Sequence, residues 1–384
     1  LQALRCRVIS ARVEENVERW ELSVRERDRL LFVQQESLMS FAGILSTPTT
    51  FAIESWPMRF FHKIPFLSGG PTSIFSPQAT PAHAIFGVSI FVLAITLTIF
   101  LVVAGLLAYT LVRFRHRGGD SATEPTQVYG SQQIEVLWTA LPILIVLVLF
   151  LATARIINVT ERARKPANAL DVVVIGHQFW WEYRYPTLGI VTANELHIPA
   201  SDPAAPTPTY LTMTSADVDH SFWVPKLAGK MDLIPNKVNV MWIDPSQPGL
   251  YLGQCAQYCG MAHARMLIRV YVDTPLQFAQ WVANQKQLPA NSASAAEGKK
   301  IFENTACINC HRVAGTAATG KFGPDLTHLA SRDTIASGIV KNTPENLRMW
   351  IDDPESLKMG SMMPKMHLNE DELNAVTAYL TALK

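Results

Sequence analysis

Two stretches of this chain carry no charged side chain for long enough to cross a bilayer. Ala84 to Val112 is uncharged over 29 residues and Val136 to Ala154 over 19, against the roughly 20 apolar residues that a transmembrane helix needs. The pattern predicts a two-helix transmembrane hairpin, with spans at about 84–112 and 135–157. Pro142 falls inside the second span, where a neighbouring helix can re-satisfy the freed carbonyl. A hairpin returns the chain to its starting side, so both flanks lie on one face of the membrane. Beyond it the apolar period shortens to two. Leu170 to Val174, Tyr210 to Thr214, Lys237 to Ile243 and Met266 to Val272 read as strands bounded by Pro, Gly, Asn and Asp. The aromatic run His177 to Tyr185 reads as a continuation of the first strand. Towards the C-terminal end the period becomes helical again. Ala295 to Phe302 is a short helix with Gly298 at a close-packing position, and Glu370 to Leu383 places Leu373, Val376, Leu380 and Leu383 on one side.

These shifts divide the chain into an N-terminal extension (1–75), the hairpin (76–165), a β domain (166–283), a linker (284–296) rich in Ala, Ser, Asn and Gln, and a helical domain (297–384). Charge adds little, because 33 basic residues face 32 acidic ones and no nucleic-acid or other polyanion partner is implied. Residues 1–36 hold seven Arg, seven acidic residues and no Lys, with a loose helical pattern around Trp20, Val24 and Leu31. The chain opens on Leu1, read as a truncated or mis-assigned start. The apolar stretch after Met58 to Lys63 is too brief to define a signal segment. No function is assigned to residues 1–75.

Five cysteines are present, and four of them fall in two motifs. That excludes a disulfide scaffold and leaves Cys6 without a partner. The first motif runs Cys255-Ala-Gln-Tyr-Cys259-Gly-Met-Ala-His263-Ala-Arg-Met266. Soft sulfur with imidazole is the donor set that selects copper over hard cations. One thiolate with a His and a weak Met would suit a mononuclear electron-transfer copper. The second Cys points to two coppers bridged by both sulfurs. A further imidazole must then come from elsewhere, and His220, in Asp217-Val-Asp-His220-Ser-Phe-Trp-Val-Pro225, is the best candidate. A plain Cys255–Cys259 disulfide would leave the His and Met spacing unexplained.

The second motif is Cys307-Ile-Asn-Cys310-His311, the Cys-x-x-Cys-His signature of covalent haem c. Two thiols capture the haem vinyl groups and the adjacent His supplies the proximal iron ligand. Downstream, Gly323-Pro-Asp-Leu326 and Met362-Met363-Pro364 stand where small bacterial cytochromes c place their haem-edge turn and distal Met. The last ninety or so residues thus resemble an all-α class I cytochrome c domain. His311 and Met363 would be its axial ligands, a pairing that raises the reduction potential. Met362 and Met366 compete for the distal role, and Met363 is preferred because it directly precedes Pro.

On these residues the chain resembles subunit II of cytochrome c oxidase, the family that carries the binuclear CuA centre. The resemblance implies a cupredoxin-like antiparallel β-barrel between the hairpin and the cytochrome c domain. It implies one copper on His220 and weakly on Met266, and the other on His263 and the backbone carbonyl of Gln257, with Cys255 and Cys259 bridging. With a fused haem c, the implied complex is a caa-type haem–copper oxidase. Subunit II would pass electrons from haem c to CuA and on to haem a of subunit I, for reduction of oxygen to water with proton pumping. Implied partners are subunits I and III and an external one-electron donor such as a cytochrome c.

The resemblance also marks Glu135 as the mouth of a proton-uptake path, against the simpler reading of a solvated acid favoured at a helix start. The family's electron-accepting tryptophan falls at Phe179, while Trp180 and Trp181 read as core packing. Gln257 replaces a Glu that helps many relatives hold magnesium, and an amide is the weaker ligand for a hard cation, so magnesium is not carried over. Asp217 or Asp219 is a candidate to orient His220. The remaining histidines (62, 83, 116, 177, 197, 328 and 367) read as surface or packed. Flanking charge is mixed, with Arg113, Arg115 and Arg117 in the inter-span loop and Arg155, Arg162, Arg164 and Lys165 after the second span. Covalent haem c is attached outside the cytoplasm, which puts the C-terminal domains on the outer, periplasmic face of a bacterial inner membrane. A nitric oxide reductase with a CuA subunit is the alternative. A quinol oxidase subunit would lack the copper ligands, nitrous oxide reductase would lack the hairpin, and a copper-delivery protein would need neither Met266 nor a haem.

Overall fold

A computed structural model of the protein describes residues 70–115, 127, 129–161, 165–289 and 295–384. The expectations for the N-terminal extension up to residue 69, Cys6 included, lie outside the described residues.

Helices α1 (Thr80–Arg113) and α2 (Gln132–Glu161) form the hairpin, extending beyond the uncharged stretches at both ends. Pro81 sits in the first turn of α1, where its missing N–H has no helical partner to lose. Thr96, Thr98 and Thr110 donate their hydroxyls to the carbonyls of Val92, Ala94 and Leu106 four residues back, so these polar groups need no water in a lipid phase. Leu97, Phe100, Leu107, Ile143 and Leu147 stay exposed, as lipid-facing side chains must. The hairpin is tied to the β domain at its open end. The Thr80 amide and hydroxyl both donate to Asp244, and the Trp242 indole donates to the Thr160 carbonyl.

The β domain has ten strands: β1 (Leu170–His177), β2 (Trp180–Tyr185), β3 (Ile190–Ala193), β4 (Glu195–Pro199), β5 (Thr209–Ser215), β6 (His220–Trp223), β7 (Met231–Leu233), β8 (Asn239–Ile243), β9 (Gly249–Cys255) and β10 (Leu267–Asp273). They build two five-stranded sheets, ordered β3-β2-β1-β5-β8 and β4-β10-β9-β6-β7. Pairing is mostly antiparallel, as a cupredoxin-like barrel requires, but β1 with β5 and β4 with β10 run parallel. Strict alternation of buried and half-exposed residues in β5 and β10 gives each strand one core face. Trp181, Tyr183, Tyr185, Leu196, Ile198, Leu211, Met213 and Phe222 fill the space between the sheets.

One expectation needs correcting. The run from His177 to Tyr185 does not continue β1. It turns at Gln178–Phe179 and pairs back antiparallel, with His177 opposite Trp180. No Gly, Pro or Asn announces this turn, because a distant side chain stabilises it. Asp217 accepts the Gln178 amide at 2.6 Å. Strands β3, β4, β6, β7 and β9 were not read from the sequence. Most are short, and their polar residues blur the two-residue period.

Helix α3 (Pro275–Gln285) closes the β domain. Its capping box joins Thr274 and Gln277, and Trp281 stacks on His197. The helical domain contains α4 (Ala296–Asn304), the single turn α5 (Cys307–Cys310), α6 (Pro344–Asp352), the turn α7 (Pro354–Leu357) and α8 (Glu370–Thr381). Helices α4 and α8 cross where Gly298 faces the backbone of Ala375 and the Tyr379 side chain. Their crossing buries Phe302, Leu373, Val376, Leu380 and Leu383 with Leu347 and Ile351 of α6.

Candidate metal and haem sites

Sheet pairing creates the first site. Strands β6 and β9 are antiparallel neighbours with Phe222 opposite Cys255, which brings His220 beside the thiol. The chain then leaves β9, loops through residues 256–266 and re-enters as β10. The loop is closed where the Cys255 amide donates to the Met266 carbonyl and the Ala256 amide to the Ser221 carbonyl.

Within this loop the Cys255 and Cys259 sulfurs lie 3.9 Å apart, nearly twice a disulfide bond length. The His220 Nδ1 is 3.9 Å from the Cys255 sulfur, and the His263 Nδ1 is 3.6 Å from the Cys259 sulfur. The Gln257 carbonyl oxygen lies 3.3 Å from the Cys255 sulfur, while its side chain is exposed. Met266 is fully buried in the same core as both cysteines. The structure thus brings together two sulfurs, two imidazoles and a carbonyl, with the Met266 thioether buried in the same core. That donor set suits a soft metal and offers a hard cation one oxygen.

The surroundings fix these groups. Asp217 hydrogen-bonds the His220 Nε2 at 2.8 Å, which orients the ring and leaves Nδ1 towards the sulfur. Asp219 is exposed and does not share this contact. Gly176 lies under the His220 ring, where a Cβ would come within 2.7 Å of Cδ2. Trp181 packs edge-on against both His220 and Phe222. Burial alone would lower the His220 pKa, but hydrogen bonds to Asp217 and Cys255 outweigh it and raise it to about 9. The hydrogen bond between the sulfurs pulls the Cys255 pKa down and pushes that of Cys259 up.

The second site is a cavity of about 660 Å³. Cys307 and Cys310 of α5, the adjacent His311 and all three candidate methionines, Met362, Met363 and Met366, line it. Met362 is exposed, whereas Met363 and Met366 are half-buried. His311 Nδ1 donates to the Pro324 carbonyl at 2.8 Å, which leaves Nε2 as the ligating atom. Burial lowers the His311 pKa and keeps the imidazole neutral. A Cβ on Gly323 would lie 2.7 Å from the His311 Cε1, so this turn requires glycine for space. Phe302, Leu326, Leu329, Leu347, Ile351 and Leu380 make the walls apolar, and the buried Arg332, whose Nε has no hydrogen-bond partner, adds a cation. An apolar slot with two thiols, a neutral imidazole, thioethers and a buried cation fits a covalently attached haem with its carboxylates.

The two sites share a wall. His177, Gln178, Phe179 and Trp180 of the β1–β2 turn line the haem cavity from the β domain. Gln178 also donates its side-chain amide to the Cys259 carbonyl at 2.6 Å. Trp180 stacks on His177 at 4.1 Å, and His177 pairs with Glu182 at 3.0 Å. Trp181 is wholly core, whereas Trp180 and Phe179 also face the cavity. Gln178, Glu182, Glu195 and Lys358 at this boundary escaped sequence reasoning, because their partners lie in distant segments with no local spacing to betray them. Glu135 lies exposed in the first turn of α2.

Comparison with known proteins follows this division. The family model for the transmembrane domain of cytochrome c oxidase subunit II matches residues 72–156, and that for its periplasmic domain matches 203–272. The cytochrome c model matches residues 295–384. Cytochrome c oxidase subunit 2 of Alkalihalophilus pseudofirmus is 32% identical over 316 residues, covering 80% of this chain and 90% of the relative. The subunit of the same name from Bacillus sp. strain PS3 is 35% identical, covering 71% and 80%. A crystal structure of the periplasmic domain of Bradyrhizobium japonicum oxidase subunit II is 29% identical. It covers 32% of this chain and 97% of that one, with a TM-score of 0.30.

Proposed function

This chain belongs to the cytochrome c oxidase subunit II family and carries a fused cytochrome c domain, and on that premise we propose how its own residues serve electron input. The protein is part of an oxidoreductase complex, embedded in the membrane by two helices with its β domain periplasmic. When bound, the haem iron and the copper pair each take up and release single electrons. Cys255, Cys259, His220, His263, Met266 and the Gln257 carbonyl would hold the copper pair, the two thiolates shared between the metals, His220 and Met266 serving one and His263 and the Gln257 carbonyl the other. Cys307 and Cys310 would hold the haem covalently, with His311 as its imidazole ligand through Nε2 and Met363 as its thioether ligand.

Each supporting contact has a part in this assignment. Asp217 and Gly176 hold His220 at one angle, and Pro324 and Gly323 do the same for His311. Both cysteines and Met266 are buried, so little solvent has to rearrange when charge arrives. An external cytochrome c supplies electrons, and subunits I and III complete the assembly in a bacterial inner membrane. Glu135 stands at the start of a proton path into subunit I.

The separation of 3.9 Å between two reduced sulfurs, with an imidazole Nδ1 within 3.9 Å of one or the other, carries this reading. The full chain, loaded with copper, should bind two coppers and give a seven-line mixed-valence electron paramagnetic resonance signal. A four-line mononuclear signal would reject the bridged pair. Replacing Met363 with Leu should leave the haem attached but abolish the low-spin His/Met spectrum. If the Met366 variant does so instead, the distal assignment falls.

A further inference from the structure

The β domain and the cytochrome domain exchange buried ionisable side chains across the haem cavity wall. From the β domain, Glu195, 3% exposed, accepts the Asp333 amide at 3.0 Å, the Thr334 amide at 2.9 Å and the Thr334 hydroxyl at 2.7 Å. From the cytochrome domain, Lys358, also 3% exposed, donates to the Phe179 carbonyl at 2.7 Å and to the Ala336 carbonyl at 3.1 Å. Each domain thus sends one ionisable group into the main chain of the other. Unpaired, either group would be costly to bury. The partners are significant too. Phe179 belongs to the turn that walls the haem cavity and holds the Cys259 carbonyl through Gln178, and Thr334 lines the same cavity.

Further contacts join the two domains. Arg265 of the copper loop donates to the Leu357 carbonyl, and Tyr271 donates to Asp333. Gly360, at φ +84°, lies so close to the copper loop that a Cβ would come within 2.7 Å of Met261 Cβ.

We propose that Glu195 and Lys358 are positioning residues that lock the cytochrome domain onto the copper domain in one orientation. A haem would thereby sit in a cavity built by both domains, with the Gln178–Trp180 wall between it and the copper loop, so that electron transfer would need no domain movement. A tethered domain that had to find its docking site would transfer electrons at a rate set by diffusion, and viscosity would slow it. A locked domain would not respond to viscosity. The inference rests on the proposed copper and haem ligands, so their spectra are part of its test.

The experiment uses the full chain in its oxidase complex. Electrons are injected photochemically into the haem, and haem-to-copper transfer is timed in increasing glycerol while hydrogen exchange is read at the Thr334 amide. Wild type should transfer at a viscosity-independent rate with a protected amide. Glu195→Ala should speed exchange at Thr334 by about tenfold or more, because hydrogen bonds to a charged group are lost, and should make transfer slower and viscosity-dependent. Glu195→Gln keeps one accepting oxygen and should lie between the two. Lys358→Met and Gly360→Ala should loosen the same boundary from the other side. A viscosity-dependent wild type, or alanine and methionine variants matching wild type in both readouts, overturns the lock. The seven-line copper signal and the alkaline pyridine haem spectrum are recorded throughout. Their absence from wild type defeats the ligand assignment instead, whereas their persistence in loosened variants supports the lock.

Discussion

Replacing Gly298 with alanine would test how the cytochrome domain is held together. An added Cβ would lie 2.6 Å from the Ala375 carbonyl carbon and 2.8 Å from the Tyr379 Cβ. Carbon atoms in good contact sit about 3.5–4.0 Å apart, and the Ala375 carbonyl oxygen stands nearer still, so helices α4 and α8 must separate by about an ångström or more. No rotamer change relieves this, because the obstruction is main chain and a Cβ. The move would loosen Phe302 against Tyr379, whose rings are 5.6 Å apart, and Leu373, Val376 and Leu380 beside them. Overpacking of this kind costs about 1–3 kcal/mol. Replacing a helical glycine by alanine returns about 1 kcal/mol. With a rigid obstruction the upper part of the range applies, leaving a net loss of about 1–2 kcal/mol. For a domain of this size each kcal/mol moves Tm by about 4–8 °C. Calorimetry of the full chain, with the haem absorbance followed in parallel, should show the cytochrome transition falling by roughly 4–16 °C. Lys300→Ala, at an exposed position on the same helix, should leave it nearly unchanged. A rise in Tm for Gly298→Ala, as helix propensity alone would give, refutes the close-packing argument.

Gly323→Ala should push the His311 ring off the Pro324 carbonyl, forfeiting a hydrogen bond of about 0.5–1.5 kcal/mol, and an unaltered resonance Raman iron–ligand signature would contradict that. Cys259→Ser should bind about one copper per chain rather than two and turn the resonance signal mononuclear, since a hydroxyl is a poor bridge for soft metals; metal analysis decides it. Burial would raise the Glu182 pKa, but the His177 hydrogen bond and the Arg184 guanidinium hold it to about 2, below its ordinary 4.5. Its contribution is therefore complete above pH 4.5 and is lost as pH falls towards 2. Glu182→Gln should lower Tm near neutrality, by up to about 3 kcal/mol in stability, and should flatten the Tm–pH curve through that window. Parallel curves for the two proteins would show that the His177–Glu182 pair carries no such linkage.

The membrane hairpin, the cysteine motifs and the two C-terminal helices were legible because their information is local. An uncharged run of 29 residues states its own environment, and Cys-x-x-Cys-His brings a haem's anchors within one turn of helix. Gly298 could be singled out from the helical pattern around it. What it packs against could not, since Ala375 lies on another helix. The turn at Gln178–Phe179 was misread for a related reason. Its stabilising group is Asp217, 39 residues away, so the local stretch carries only the alternation of a strand.

Sequence by itself determined which chemical groups this protein offers: two thiols with two imidazoles in one region, and two thiols with one imidazole in another. Tertiary structure decided how they meet. It set the sulfurs at 3.9 Å, placed Asp217 behind His220, and put the β1–β2 turn between copper loop and haem cavity. Spacing along a chain fixes only what a few bonds can reach. The Glu195 contacts and the Lys358–Phe179 bond join residues 138 or more positions apart, and only packing of one domain against another brings them into range.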